Sequence, residues 1–476
     1  LPKPVAANDD VLEQFADTIG RQNIITDTSE MEPFLVEWRD RYQGAARAIL
    51  KPGSTEEVAA LLKTAHKNRT PIVPQGGNTG LVGGQIPFDG NEDFVLSLSR
   101  LNKIREIDPQ GNTMTAEAGV VLQKIQDEAA NAGRFFPLSL GSEGSCQIGG
   151  NLASNAGGTA VLAYGNARDL VLGLEVVTAK GQIWHGLRKL KKDNTGYDLK
   201  NLFIGSEGTL GIITAAVLKL FPAPRAKATA FVGVESPEAA LMLFNQTLEA
   251  VGSQLTAFEF LPRIGLDFVL THATGTRDPF VDEHPWYVLM ELTSGIEDTL
   301  EDVVESILSG AFETGRIGDA TIARSEAEAQ SLWRIRLLLS EVQKHEGGSI
   351  KHDVSVPVAA MPTFLRAATA EVERRIPKAR VVPFGHLGDG NVHFNVSQPV
   401  GAPKQDFLNR WEELNNAVHG IVAEFGGSVS AEHGIGVMKR ELMGEIKSDV
   451  ELELMRNVKR ALDPRGILNP GKMLPG

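Results

Sequence analysis

Cysteine is nearly missing from this sequence: Cys146 is the only one in 476 residues. A single thiol can close no internal disulfide and cannot hold an iron–sulfur cluster, so the chain reads as intracellular and without a second redox centre of its own. No run of 18 apolar residues occurs, which leaves no candidate transmembrane helix. The opening LPKPVAANDDVLEQFADTIG lacks the basic segment, apolar core and small-residue cleavage site of a secretory signal. Because residue 1 is Leu rather than Met, a removed mitochondrial targeting peptide stays open beside a bacterial cytoplasmic location. Positive charge is also short: 47 Lys and Arg face 60 Asp and Glu, a net −13. Such a field repels duplex nucleic acid and anionic bilayers, yet it permits a small anion in a locally basic pocket. With 42% hydrophobic, 22% charged and 6% aromatic residues and no low-complexity block, collagen, coiled coil and disorder are excluded.

Glycine is what the chain has in excess. It supplies 49 residues, against a usual share of about 7%. Of these, 24 fall within 71–90, 141–173, 205–211, 385–390 and 426–436, so the excess is five local loops. The length suits two or three domains. Residues 46–75 predict strand, helix, strand, with Ser54 or Thr55 as the helix cap before Glu56 and Glu57. From about 71 to 220, glycine loops alternate with β-rich runs such as TMTAEAGVV and GIITAAVLKLF, an α+β pattern. Proline punctuation at 222–224 marks a boundary. Beyond it, helical ESPEAALMLFNQTLEAVG, SEAEAQSLWRIRLLLSEVQKH and MPTFLRAATAEVERR alternate with strands WYVLMELT, VVPFGHL and NVHFNV. This predicts helices packed on one face of a mainly antiparallel sheet.

The first glycine cluster, PIVPQGGNTGLVGG, can turn successive N–H groups inward as a nest for a pyrophosphate; it can equally be a glycine-rich hairpin. It is not a Rossmann fingerprint, because it runs on into another strand instead of opening a helix. The second, Ser139 to Asp169, sets Ser and Asn beside its glycine pairs, which suits a large planar polar ligand. The third surrounds Glu207. Gly466, Gly471 and Lys472 imitate a phosphate-binding loop, but Met473 stands where a hydroxyl should hold magnesium.

In PFGHLGDGNVHFN, Asp389-Gly390 between β-like runs predicts a two-residue type I′ hairpin, placing His386 opposite His393 with Asn395 on the same face. The two imidazoles are either a polar cross-strand pair or two ligands of one divalent ion. Glu432-His433 in SAEHGIG favours the ion, since two His and one carboxylate leave a position open on zinc. Arg336 and Ser340, four apart on a helix, share a face, and Lys351 follows in a strand-like run. Trp333 reads as core, and His66, His272, His284, His345 and His419 lie outside these motifs.

Together PIVPQGGNTGLVGG, GSCQIGGNLASNAGG, YGNARDLVLGLEVV, DNTGYDLKNLFIGSEGTLGIIT, GHLGDGNVHFNV, SAEHGIGVMKRE and LDPRGILNPGKMLP resemble the FAD-linked D-2-hydroxyacid dehydrogenases of the vanillyl-alcohol-oxidase flavoprotein superfamily, over roughly residues 45–474. The resemblance implies an α+β fold: an FAD-binding domain of two subdomains over 1–222, a substrate-binding cap with a mainly antiparallel sheet over 223–425, and a segment over 426–476 returning to the FAD domain. It implies that Gly76, Gly77, Asn78, Thr79 and Gly80 hold the FAD pyrophosphate. Gly141, Ser142, Ser145, Gly149, Asn151, Ser154, Asn155 and Gly157 would line the cofactor, with Pro74, Glu207, Ile213 and Asn469 beside it. Many members attach FAD through a histidine in the first loop; Asn78 cannot form that bond, so dissociable FAD is expected.

By the same resemblance His386, His393 and Glu432 hold Zn²⁺ or another divalent transition metal, and His433 is the base. Arg336, Ser340, Lys351 and Asn395 would bind substrate. The expected reaction is oxidation of a D-2-hydroxyacid, D-2-hydroxyglutarate foremost and D-lactate or glycolate as the alternative, with an electron-transfer flavoprotein or another acceptor such as oxygen or a quinone, and a homodimer by analogy. From another class, a metallohydrolase with structural glycine loops would share the His/His/Glu set. It would be colourless.

Overall fold

The computed structural model describes residues 9–88, 93–296 and 300–476. Of the range expected for the FAD domain, 1–8 and 89–92 lie outside the described residues. The chain divides into two compact units. The first comprises the chain up to Gly157, Asn166–Ala223 and Glu432–Gly476; the second comprises Gly158–Gly165 and Pro224–Ala431.

The first unit contains two sheets. In one, β1 (Ile24–Ile25), β2 (Ala48–Leu50), β3 (Ile72–Gln75) and β4 (Phe94–Ser97) lie in the order β1-β2-β4-β3, with parallel β2, β4 and β3. The crossover from β2 to β3 is the helix Thr55–Asn68. Ser54 Oγ caps it, accepting from Glu57 N at 3.1 Å, and Val58, Leu61, Leu62 and Ala65 give it one buried face. The other sheet joins β5 (Ile104–Asp108), β6 (Thr113–Glu117), β8 (Val171–Val177), β9 (Ile183–Gly186) and β10 (Ile212–Lys219) antiparallel, in the order β5-β6-β10-β8-β9. β7 (Arg134–Phe135) pairs with β11 (Phe221–Pro222). The C-terminal segment is pinned to β3, for Ile72 N donates to Ile467 O and Asn469 N to Ile72 O, both at 2.8 Å. Buried Lys459 secures the same segment through Asp463 and the carbonyls of Thr209 and Leu468 at 2.7–2.9 Å.

The second unit is built on a seven-stranded antiparallel sheet. Its strands are β12 (Ala226–Val234), β13 (Leu255–Pro262), β14 (Trp286–Ser294), β15 (Asp319–Ile322), β16 (Ser349–Ser355), β17 (Arg380–His386) and β18 (Asn391–Ser397), in the order β15-β12-β14-β13-β17-β18-β16. Helices cover both faces, which corrects the expectation of one covered face. On one face, Leu332, Ile335 and Leu339 of the helix Glu326–Val342 pack with Leu261, Val382 and Phe384. On the other, Phe244 meets Phe258 and Phe364 meets Phe394. β13 is buried along its whole length, as two-sided covering requires.

The hairpin between β17 and β18 also departs from expectation. Leu387–Asp389 form a 3₁₀ turn and Gly390 follows at φ 82°, so the loop has four residues, 387–390. A type I′ turn needs positive φ at Asp389 as well, and Asp389 does not adopt it. Instead Leu387 is fully buried, Asp389 Oδ1 accepts from Asn391 N at 3.0 Å, and Gly390 O accepts from Val356 N at 3.0 Å. The register therefore shifts: His386 stands opposite Asn391, and His393 opposite Phe384. The expected domain borders after 222 and 425 compare with unit borders after Ala223 and Ala431.

Candidate functional site

In the first unit the glycine loops meet backbone to backbone. β3 ends at Gln75 and the chain enters the 76–84 loop, with Pro74 inside the strand. A Cβ on Gly77 would collide with Ser145 O and lie 3.1 Å from Cys146 Cα, so only glycine permits this approach. Gly76 lies against Gln147, while Gly141, Gly144 and Gly150 have open space beside them. Ser142 O accepts from the N–H groups of Ser145 and Cys146 at 2.9 and 2.8 Å, shaping the second loop.

Other predicted positions have structural work instead of an open aspect. Gly149 packs on Ala118, its N–H donating to Ala118 O at 2.8 Å. Ser154 Oγ donates back to Gly150 O at 3.1 Å, and Asn155, at φ 53°, accepts from Arg168 N at 3.0 Å. Asn78, at φ 55°, donates to Pro33 O and Val36 O at 2.9 Å and accepts from Gln85, so its amide anchors the 33–36 segment. Gly80 O accepts from Gln85 as well, and Thr79 between them is half-buried. Ile213 is buried in β10. Asn469 Nδ2 donates to Gly84 O and Glu207 O at 2.9 and 2.7 Å. Cys146 is buried, which pushes its thiol pKa up.

The side-chain oxygens of Gln75, Gln147, Asn151 and Asn469 are buried without a protein donor. Orphan acceptors around glycine loops that border open space fit a large ligand rich in hydroxyl and N–H groups, as FAD is.

Glu207 links this region to the C-terminal SAEHGIG turn. Its carboxylate accepts from Ile435 N at 2.6 Å and Gly436 N at 2.8 Å. Burial pushes its pKa up, against those two N–H donors and the charges of Lys439 and Lys472. Glu432 lies against Gly157, where an added Cβ would come 2.6 Å from Oε1. Gly157 thus makes room for a carboxylate.

In the second unit the substrate and metal candidates gather on one sheet face. Because cross-strand partners share a face, Glu259 of β13 lies beside His386, and His393 lies beside Phe384 and Asp353. His386 and His393 are diagonal neighbours with ring centroids 5.6 Å apart, and Asp353 Oδ1 is 3.9 Å from His393 Nδ1. Asn395 stands opposite Lys351 and donates to Gln343 Oε1 at 3.0 Å. From the covering helix, Arg336 reaches Glu259 Oε2 with its Nε at 2.7 Å and lies over the Phe384 ring at 4.9 Å. Lys351 Nζ donates to the main-chain oxygen of Ser340 at 3.1 Å. The structure therefore brings Arg336, Lys351, Asn395, His386 and His393 to one face, while Ser340 is exposed and meets Lys351 through its main-chain oxygen. Glu432 and His433 belong to the first unit and are the next two residues after Ala431, whose N–H donates to Asp353 O at 3.3 Å.

Glu259 was not found by motif. It is the one carboxylate in LTAFEFLP, a strand otherwise apolar apart from Thr256, and that isolation was its signal. Its oxygens contact His386 Nδ1 at 2.6 Å and Arg336 Nε at 2.7 Å. Burial would raise its pKa, but His386 and Arg336 outweigh this and hold it below the ordinary value. Asp389, in the hairpin loop, goes the other way: burial pushes it up to about 6, partly opposed by His386. Trp333 Nε1 donates to Glu291 at 2.8 Å, and His272 pairs with Glu346. Among the described residues no helix is long and apolar enough to cross a membrane.

Residues 46–186 match the FAD binding domain model, and 223–473 match the C-terminal domain of FAD linked oxidases. The chain is 37% identical over 465 residues to an Arabidopsis thaliana protein named D-2-hydroxyglutarate dehydrogenase, mitochondrial, covering 97% of this chain and 81% of that one. It is 35% identical to a Schizosaccharomyces pombe protein provisionally named a mitochondrial D-lactate dehydrogenase, covering 99% and 91%. Among solved structures it resembles p-cresol methylhydroxylase with bound substrate, with TM-score 0.76, 17% identity and 98% and 96% coverage, a likeness of fold. The chain belongs to the FAD-linked oxidase family, with the vanillyl-alcohol-oxidase type of fold, and is an FAD-dependent dehydrogenase.

Proposed function

We propose that the chain oxidises D-2-hydroxyglutarate to 2-oxoglutarate, using dissociable FAD and a divalent ion such as Zn²⁺. The observation that carries this reading is the sheet face of the second unit, where two cationic side chains accompany a pair of imidazoles. A dicarboxylate calls for such a basic pair in a protein of net charge −13. Arg336 keeps donors beyond the Nε committed to Glu259, and with Lys351 it binds substrate carboxylate; Ser340 and Asn395 add neutral hydrogen bonds.

His386, His393 and Glu432 supply the two imidazoles and one carboxylate that suit a catalytic divalent site. Asp353, beside His393, adds a second carboxylate to that group. Bound at these sites, FAD would supply a hydride acceptor for C2, and the metal ion a Lewis acid for the 2-hydroxyl. His433, next to Glu432 in the chain, takes the hydroxyl proton, as imidazole is suited to do near neutrality. Asn78 leaves FAD without a covalent histidine link. Because Cys146 alone offers no second centre, the electrons would need an external acceptor, for which an electron-transfer flavoprotein is proposed.

The test is anaerobic flavin bleaching and steady-state turnover over D-2-hydroxyglutarate, D-lactate and D-malate, with and without chelator. D-2-hydroxyglutarate should be preferred, chelation should slow bleaching, and His433→Ala should lose about 10²-fold or more. A preference of about tenfold for D-lactate, worth about 1.4 kcal/mol in the barrier, would instead support the reading that the Schizosaccharomyces pombe relative's name suggests.

A further inference from the structure

The structure contains a buried three-residue relay that no motif announces. Glu259 lies in the middle of β13, is 1% exposed, and has one oxygen on His386 Nδ1 and the other on Arg336 Nε. A carboxylate can only accept, so its contact with Nδ1 selects the imidazole tautomer that carries its proton there and its lone pair on Nε2. Register alone does not determine a ring's rotation about its χ angles; a 2.6 Å contact to a fixed carboxylate does. Asp353 Oδ1 stands 3.9 Å from His393 Nδ1, against 2.6 Å from Glu259 Oε1 to His386 Nδ1.

We propose that Glu259 is a positioning residue: it orients His386 as an Nε2 ligand for the divalent ion and, through its other oxygen, sets Arg336 for the substrate carboxylate. This rests on the metal reading above. Metal site and anion site are then coupled through one side chain, 127 residues before His386 and 77 before Arg336. An aspartate would fall one methylene short of both partners. Glutamine could accept from only one of them, presenting an N–H to the other.

The experiment is Zn²⁺ affinity of the chelator-stripped, flavin-loaded protein, measured by competition with a chromophoric chelator, for Glu259→Gln, His386→Ala and Arg336→Met. Glu259→Gln should weaken Zn²⁺ binding by about 10- to 100-fold while flavin content is unchanged. Arg336→Met should raise KM for substrate but lower Zn²⁺ affinity far less than Glu259→Gln does. Since Glu259→Gln leaves a buried arginine charge, Glu259→Leu/Arg336→Met removes both charges together with the acceptor for His386 Nδ1 and should show the same Zn²⁺ loss. Unaltered Zn²⁺ affinity in Glu259→Gln and in the double variant, with His386→Ala impaired, would overturn the relay and leave the metal reading standing. Unaltered affinity in His386→Ala would overturn both.

Discussion

Replacing Glu207 by glutamine tests how the SAEHGIG turn is held. The carboxylate accepts two main-chain N–H groups, Ile435 at 2.6 Å and Gly436 at 2.8 Å, and Glu207 itself sits at φ 50°. Glutamine has nearly the same volume, but one of its terminal atoms is an N–H donor. Facing two donors, it can satisfy only one, and the bond that remains loses its charge. A hydrogen bond to a charged group contributes about 1.5–3 kcal/mol, so local opening of the 434–436 segment should become easier by that amount. This corresponds to about 10- to 150-fold less protection from amide exchange. Global stability should move less, because burial already pushes the Glu207 pKa up and the neutral side chain escapes that desolvation. Hydrogen exchange read by mass spectrometry on a peptide spanning residues 432–438, with a β14 peptide as internal reference, measures the effect. If the turn carries Glu432 and His433 as proposed, kcat should fall with flavin content intact. Protection at Ile435 and Gly436 within about twofold of the parent protein would refute the reasoning.

Three further outcomes follow from the same geometry. Acid precipitation should release all the flavin into the supernatant, because Asn78 cannot form a histidyl link and Cys146 is buried; flavin retained in the pellet would show a covalent bond. Lys459→Met leaves Asp463 buried without its cation and should lower the unfolding free energy by about 3–5 kcal/mol, read as a shift in the urea midpoint; an unmoved midpoint would contradict the pairing. For Asp389, burial pushes the folded pKa up to about 6, against about 3.9 unfolded. A raised carboxyl stabilises fully below about pH 4 and loses that contribution as the pH rises through about 6. Asp389→Asn, which keeps an acceptor for Asn391 N, should therefore stabilise the metal-stripped protein by about 1–2 kcal/mol near pH 7.5 and leave it unchanged near pH 4. Equal effects at both pH values would refute the assignment.

Much of this protein is readable from the chain because its signals are local. Ser54 before a helix, proline punctuation at 222–224 and β-rich runs between glycine clusters each specify backbone shape within a few residues. The seven ordered motifs identified the family for the same reason, since loops that approach a ligand closely restrict residue type at each step. Gly77 illustrates it: the Ser145 carbonyl leaves no room for a Cβ.

What stayed hidden depended on partners far apart in sequence. The hairpin at 387–390 carries a strong two-residue turn signal, yet burial of Leu387 and the bond from Val356 N to Gly390 O select a four-residue loop, moving His386 from opposite His393 to its diagonal. Covering of both sheet faces could not be deduced from helix and strand order, because buried strands look alike whichever face their helices choose. By itself the sequence determined the family, the glycine loops and the residue types for metal, proton and carboxylate chemistry. Only the tertiary structure decided that Glu259 joins His386 to Arg336, and that Glu207 grips the turn after His433, since hydrogen bonds across 77 to 229 residues leave no periodic trace in the chain.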